Sequence, residues 1–389
     1  MKIHLWFPNI FEFKGGIQVY SAFLLQALQH VDAGNYYRVF LKHDTQTVGD
    51  VLGQANTRFC FAGRSPLRWR TWAYALQLVW GSLWERPQLI IASHANFSIL
   101  AAPVKRFLGI PYWVIAHGTE VWSIQHRGLA RGLQQADRIL CVSGYTRDRL
   151  LGQIPLNPQR VGLLPNTFDA AAFYPTSKSP ELLAQYGLGI EQPILLTVAR
   201  LDASQAYKGY DQVLRALPQI RVAIPNLHYL IVGQGNDRPR IEALIQQLQL
   251  QDCVTLTGFV PDGQLRDHYN LCDVFAMPSL GEGFGIVYLE ALACGKPTLG
   301  GNQDGAIDAL KQGELGVLVD PNDVAQLAQA LTQLLDRTHP QQDLFDPDYL
   351  RAQVIATYGF GAFTAQVRSQ LSSQFAVGHP TLNRSLKKS

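Results

Sequence analysis

The sequence predicts an α/β protein of two doubly wound units, each a parallel sheet covered by helices on both faces. Three observations lead there. The chain has 389 residues, more than one core of ordinary size accommodates. Short apolar runs alternate with longer stretches of helical periodicity, the pattern of parallel strands joined by helical crossovers. That alternation occurs twice, on either side of a segment rich in prolines and polar residues at 165–192, and no shorter repeat is visible.

Composition narrows the class. Apolar residues make up 47% of the chain and charged residues 16%, the balance of a soluble globular protein. A formal net charge of +3 is too small to argue for nucleic acid as a partner. No run approaches about 18 consecutive apolar residues, so no membrane span is encoded. The opening MKIHLWFPN, broken by Pro8 and Asn9, reads as a first strand rather than a signal peptide. Cys60, Cys141, Cys253, Cys272 and Cys294 lack metal-ligand spacing and read as reduced core thiols of a cytoplasmic protein.

After KIHLWFP and the run FEFKGGIQ, the residues Tyr20, Phe23, Leu24, Ala27 and Leu28 share a helical face. Gly15 and Gly16 therefore lie at a strand-to-helix turn, where the pair serves the turn itself or lets a phosphate or sugar approach the backbone. Further strands are expected at 37–42, 88–93, 112–116 and 138–142. His94 and His117 each follow a strand end, where ligands of parallel sheets bind. His94 reads as structural and His117, in IAHGTE, as a site candidate; Ser143 reads as a helix cap.

The segment RSPLRWRTWAYALQLVWGSLWERP holds four of the seven tryptophans. Trp69, Trp72, Leu76, Trp80 and Leu83 share one helical face, with Arg64, Arg68 and Arg70 around its start. An aromatic, basic helix suits a membrane surface. An apolar stripe is also the ordinary signature of a helix packed on its sheet, and that is the expectation here.

PILLTVAR opens the second half, with further strands expected at 228–232, 254–257, 274–277, 297–299 and 316–319. Arg200 ends the first of these strands and Lys208-Gly209 opens the next helix, so two fixed cations stand where a diphosphate would be held. Gly233 and Gly235 in VGQGND lack the third glycine and the acid of a dinucleotide fingerprint. Asp346 and Asp348 form an Asp-Pro-Asp that reads as a helix cap rather than a metal site. A helix is expected over 353–371, and the basic, polar end after Val377 reads as disordered.

The richest run is GEGFGIVYLEALACGKP. Gly281, Gly283 and Gly285 permit a tight turn, the apolar positions that follow keep helical spacing, and Gly295 and Pro297 stop the helix. A helix that begins on a glycine loop points free amides at an anion. Glu282 and Glu290 stand there with seven residues between them. Glu290, inside an apolar helix, needs nearby backbone, hydroxyl groups, water or a cation opposite it.

This run resembles the E-x7-E motif of the retaining glycosyltransferases of family 4, the group 1 glycosyl transferases. Their GT-B fold sets two Rossmann-like domains facing across a cleft. Other segments are similar to the same family: the glycine pair at Gly15 and Gly16, the His-Gly at His117, Pro165-Asn166 with Asp169, Arg200 with Lys208-Gly209, and GFVPDGQL. Thr167 replaces the family's glycine, and the loop between Arg200 and Lys208 is longer than the common form. The resemblance places Glu282 by the donor sugar, Glu290 on the nucleotide's ribose, and His117 at the reacting sugar. It has Gly15 and Gly16 face the cleft and the backbone around Phe259 and Val260 border the base. Arg200, Lys208 and the amides of Gly283, Phe284, Gly285 and Ile286 would stabilise the departing diphosphate. No role is carried onto Asp304, because GNQDGAID departs from the frequent Gly-Pro-Glu form.

The resemblance implies a metal-independent retaining hexosyltransferase. It would move mannose, glucose or galactose from a GDP- or UDP-linked donor to a hydroxyl of a glycan or lipid-linked acceptor, in polysaccharide or cell-envelope glycan synthesis. The nucleotide sugar is a substrate, and no cofactor is expected. The expected location is cytoplasmic, with peripheral contact at the inner face of the membrane left open. Expected boundaries are an acceptor-side domain at 1–175, a nucleotide-sugar domain at 176–352, a returning helix at 353–375 and a disordered tail at 376–389. The rivals are a nucleotide-sugar epimerase of the same fold and a catalytically silent nucleotide or glycan-binding module.

Overall fold

The apolar runs of the first half become parallel strands: β1 (Lys2–Phe7), β2 (Tyr36–Leu41), β3 (Thr57–Phe61), β4 (Leu89–Ala92), β5 (Tyr112–Ala116), β6 (Arg138–Cys141) and β7 (Val161–Leu163). They form one seven-stranded sheet in the order β3-β2-β1-β4-β5-β6-β7. The structure, a computed structural model, describes residues 1–12, 15–47 and 55–376. Strand β1 lies beside β2 with Lys2 opposite Tyr36 and Phe7 opposite Leu41, and on its other side pairs with β4. β5 is buried along its whole length, as an inner parallel strand covered on both faces should be.

The second half repeats the plan with β8 (Ile194–Val198), β9 (His228–Val232), β10 (Val254–Gly258), β11 (Val274–Met277), β12 (Thr298–Gly301) and β13 (Val317–Val319). Their order is β10-β9-β8-β11-β12-β13, parallel throughout. Each sheet reverses its winding once, between β1 and β4 in the first and between β8 and β11 in the second. At such a switch the crossovers leave on opposite faces and open a crevice beyond the strands' C-terminal ends.

The chain divides into two compact units. One is Met1–Thr167 together with the helix Phe360–Ala376; the other is Phe168–Gly359. The last helix packs on the helix Gly16–Val31, with Phe360 against Phe23 at 6.0 Å between ring centroids and Phe363 against Tyr20 at 5.6 Å.

Four expectations are corrected. The single helix over 353–371 is two, Pro347–Tyr358 and Phe360–Ala376, separated at Gly359, where an added Cβ would lie 2.5 Å from the Ile355 carbonyl oxygen. The proline-rich, polar segment running to residue 192, which reads as a linker between the halves, belongs from Phe168 on to the second unit. It carries the helix Pro180–Tyr186, and it is tied to its unit by Arg351 on the Ala170 carbonyl at 2.8 Å and by Lys178 on Asp273 at 2.9 Å. Strands β3 and β7 were not anticipated, the first being half-exposed and mixed in polarity, the second only three residues long.

The fourth concerns the tryptophan helix, Leu67–Glu85. Its tryptophan face is turned outward, and Tyr74, Leu78, Gly81 and Ser82 are what it buries. The helix is apolar on two sides, so periodicity finds both stripes without choosing between them. Fit decides: Gly81 lies so close to Phe40 that a Cβ would meet the ring at 2.6 Å, and the Tyr74 hydroxyl donates toward the carbonyls of Phe7 and Phe40 at 3.2 and 3.3 Å. A bulky tryptophan face has no such seat. The expected disordered tail lies, from residue 377 on, outside the described residues.

Candidate functional site

In the second unit the switch point between β8 and β11 gathers most of the candidates. Arg200 stands two residues beyond β8, exposed and without an ion-pair partner among the described residues. The long loop that follows folds into a short 3₁₀ segment, Ala203–Lys208, which carries Lys208 back toward the sheet. Gly209 then starts the helix Tyr210–Ala223 at φ +83°, and a Cβ there would sit 2.1 Å from the Pro278 carbonyl oxygen. Only glycine fits so close to the loop after β11.

That closeness joins Lys208 to Glu282. The ammonium donates to Glu282 Oε2, and both side chains are largely buried. Burial disfavours the Lys208 ammonium, but Glu282, with help from Tyr207 and Asp304, outweighs it and holds the pKa above the usual lysine value. The Leu280 amide donates to the Tyr207 carbonyl at 2.9 Å, and the Tyr207 ring lies against Gly281. The extra loop length therefore does not keep Lys208 from the site.

The glycine loop enters the helix Ile286–Ala293 through Gly285 at φ +92°. The amides of Gly283, Phe284, Gly285 and Ile286 donate to no protein acceptor among the described residues. They are free for an anion. The Phe284 side chain is buried against Tyr358, ring centroids 5.3 Å apart, so what Phe284 offers is backbone. One turn on, the Tyr269 hydroxyl donates to Glu290 Oε2 at 2.7 Å. Burial still pushes the Glu290 carboxyl up to about 7. Phe259, exposed, and Val260, buried, lie in the turn after β10.

Two further features organise this edge. Gly233 and Gly235 form no dinucleotide loop: a Cβ on either would meet the carbonyl oxygen of Ala199 or Leu201 at 1.8 or 1.9 Å. They let the turn after β9 pack on the Arg200 loop, where the Leu201 amide donates to the Gln234 carbonyl at 3.1 Å. Asp304, to which the sequence assigned no role, is fully buried. Its carboxylate accepts from the Glu282 amide at 2.7 Å, from Ser279 Oγ at 2.6 Å and from the Ala306 amide at 2.9 Å. The available signal was position, since Asp304 follows the end of β12 as Arg200 follows β8.

In the first unit, Gly15 is extended at φ −161° and its carbonyl accepts from the amides of Gln18 and Val19 at 3.1 Å. His117 follows β5, its Nε2–H on the Ser93 carbonyl at 2.8 Å and its ring edge-on to Tyr20 at 5.0 Å. Burial lowers its pKa to about 4, so the imidazole is neutral at pH 7. His94 Nδ1 accepts from the Asn96 amide at 3.2 Å, a structural cap. Ser143 and Asp346 also cap helices. Thr167 is buried without positive φ, so the turn needs no glycine there.

The family model for Glycosyl transferases group 1 matches residues 179–345, and that for Glycosyltransferase Family 4 matches 14–172. The two matches together take in most of both units. The chain belongs to glycosyltransferase family 4. A GDP-mannose-dependent alpha-(1-6)-phosphatidylinositol monomannoside mannosyltransferase of Mycolicibacterium smegmatis is 33% identical over 249 residues, which cover 61% of this chain and 64% of that protein. The Mycobacterium tuberculosis protein of the same description is 34% identical, over 61% and 63%. The family 4 chain thus spans less than two thirds of these relatives' length. Its fold matches a sucrose-phosphate synthase from Thermosynechococcus elongatus with TM-score 0.78 at 23% identity, over 97% of this chain and 100% of that one. It also matches Anabaena HepE, solved with UDP and glucose, with TM-score 0.75 at 19% identity, over 96% and 100%. At these identities the likeness concerns the fold, which is GT-B.

Proposed function

We propose that this family 4 chain is a retaining glycosyltransferase that moves a hexose from a nucleoside diphosphate sugar to a hydroxyl of a glycan or lipid-linked acceptor. One observation carries the reading: Lys208 is paired with Glu282 at the start of the loop whose amides at 283–286 meet no protein acceptor among the described residues, and Arg200 follows β8 at the same topological switch point. Departure of a nucleoside diphosphate concentrates negative charge on phosphate oxygens, and preorganised cations and amides stabilise that charge without reorganising. The bond between the sugar's anomeric carbon and the phosphate oxygen breaks, and the acceptor oxygen bonds to that carbon on the same face. The acceptor's proton passes to the departing phosphate. This route needs no carboxylate nucleophile. Glu282 fixes Lys208 and borders the sugar, Glu290 accepts from a ribose hydroxyl, and the turn at Phe259 and Val260 borders the base. His117, Gly15 and Gly16 are the first unit's candidates for contact with the donor. In this reading the fixed cations take the part of a divalent metal.

The GDP-mannose-dependent relatives make GDP-mannose the first donor to try, ahead of UDP-glucose and UDP-galactose, and their lipid acceptors favour a lipid-linked one. The proposed location is cytoplasmic, with peripheral contact at the inner face of the membrane. The test is incubation of the full chain with each donor in excess chelator, following nucleoside diphosphate release and the anomeric configuration of the product. Slow hydrolysis or transfer with retention supports the reading. Activity that disappears with chelator and returns with manganese overturns metal independence, and sugar isomerisation without any acceptor points to an epimerase.

A further inference from the structure

The outward face of Leu67–Glu85 does not belong to the fold's interior. Trp69, Trp72, Leu76, Trp80, Leu83 and Trp84 are 57%, 69%, 70%, 69%, 46% and 80% exposed. At 150–250 Å² per aromatic side chain, the four tryptophans alone leave on the order of 500 Å² of aromatic surface in water. That matches the largest apolar patch an ordinary monomer carries, roughly 300–600 Å². Trp80 and Trp84 stack with centroids 6.4 Å apart and planes within 11°, so the surface is ordered.

The charges around it say what fits. Arg68, exposed, and Arg70, half-buried and donating to the Gly63 carbonyl at 3.0 Å, precede and follow Trp69 by about 100° each way around the helix axis, so that Arg68 is the cation free to meet a surface there. Arg64 and Arg86, both exposed, stand just before and just after the helix. The helix's one acid, Glu85, is turned inward onto His4 at 2.9 Å and onto Arg38. No exposed position of the helix is acidic. A two-fold contact with a second copy would gather these arginines around one interface with no acid on the helix to meet them. Tryptophan with flanking arginine instead matches the headgroup region of a bilayer, where the indole ring sits among acyl chains and its N–H remains at the polar level.

We propose that this face docks the protein on an anionic phospholipid bilayer, the helix lying in the plane of the interface with its tryptophans inserted and its arginines at the headgroups. Among the described residues no helix is long and apolar enough to cross a membrane, so the contact is peripheral. The inference stands on this helix and does not depend on the transfer reading; it supplies the surface at which a lipid-linked acceptor would be met.

The experiment is vesicle co-sedimentation of the full chain, with phosphatidylcholine alone and with added phosphatidylglycerol, at low and high salt. Wild type is expected to bind the phosphatidylglycerol vesicles with a blue shift of tryptophan emission, and to be released by salt. Arg68→Glu, a change of two charges at the docking face, lowers the partition about tenfold or more. Trp80→Ser with Trp84→Ser lowers it at least about tenfold by removing buried apolar surface. Circular dichroism confirms that both variants fold, and donor hydrolysis in solution stays at the wild-type rate, so failure here is distinct from failure of the transfer reading. Wild type that ignores phosphatidylglycerol vesicles at low salt overturns the proposal. So does a concentration-dependent dimer abolished by the tryptophan substitutions in a protein that leaves vesicles alone.

Discussion

Asp304 Oδ2 accepts the amide hydrogen of Glu282 at 2.7 Å, so the loop after β12 holds the glutamate that in turn holds Lys208. The amides of Glu282 and Ala306 can only donate to this carboxylate, and Ser279 Oγ faces it too. Asp304→Asn turns an NH₂ toward one of these partners and should cost about 1–3 kcal/mol of stability. Turnover should fall as well, because the Lys208–Glu282 pair loses its support. Burial pushes the Asp304 carboxyl up to about 6, above its unfolded value. Between about pH 4 and pH 6 the folded chain therefore binds a proton that the unfolded chain has released, and this group's contribution falls as pH rises. Unfolding of wild type and Asp304→Asn at both ends of that window should show the stability gap narrowing toward pH 6.

Glu290 gives a pH dependence of the opposite use. With its carboxyl pushed up to about 7 by burial, it is protonated at acid pH and charged above neutrality. A charged carboxylate is the better acceptor for a ribose hydroxyl. The donor's Michaelis constant should fall as pH rises through about 7, while Glu290→Gln should raise it about tenfold and flatten the profile, with a smaller effect on turnover. Donor titrations across the range check both effects.

Gly233 holds φ +143° with the Ala199 carbonyl oxygen 1.8 Å from where a Cβ would be. Gly233→Ala should destabilise the fold by more than about 2 kcal/mol and displace the Arg200 loop, lowering turnover in whatever protein remains folded. Thermal unfolding and specific activity on the soluble fraction measure the two losses. Nicotinamide turnover, the outcome a dinucleotide loop would have given, should be absent.

The parallel strands were legible wherever an apolar run was long enough to be buried on both faces, as with β5 and β9, which fall where the pattern puts them. Half-exposed β3 and three-residue β7 gave no such signal. In the site, Lys208 and Glu282 were each marked by local context, yet their pairing joins residues 74 apart and depends on how Gly209 meets Pro278. Asp304 was hidden because two of its three donors, Ser279 and Glu282, reach it from the loop after β11, more than twenty residues earlier in the chain. The tryptophan helix shows the limit most directly: an apolar stripe names a surface that avoids water, and only the fit of Gly81 against Phe40 shows which stripe found protein.

If fixed cations at the β8–β11 switch point stabilise a departing diphosphate, steady-state kinetics of Arg200→Ala and Lys208→Ala will register it. Arg200 is exposed and without an ion-pair partner among the described residues, so its removal should disturb the fold little, while Lys208→Ala also leaves Glu282 unpaired and needs its folding checked by circular dichroism. Each variant should lose about 10²-fold to 10³-fold in turnover, as removal of one preorganised electrostatic donor does. The donor's Michaelis constant should change far less. A folded Arg200→Ala protein with near-normal turnover and only a raised Michaelis constant would rule out leaving-group stabilisation by Arg200.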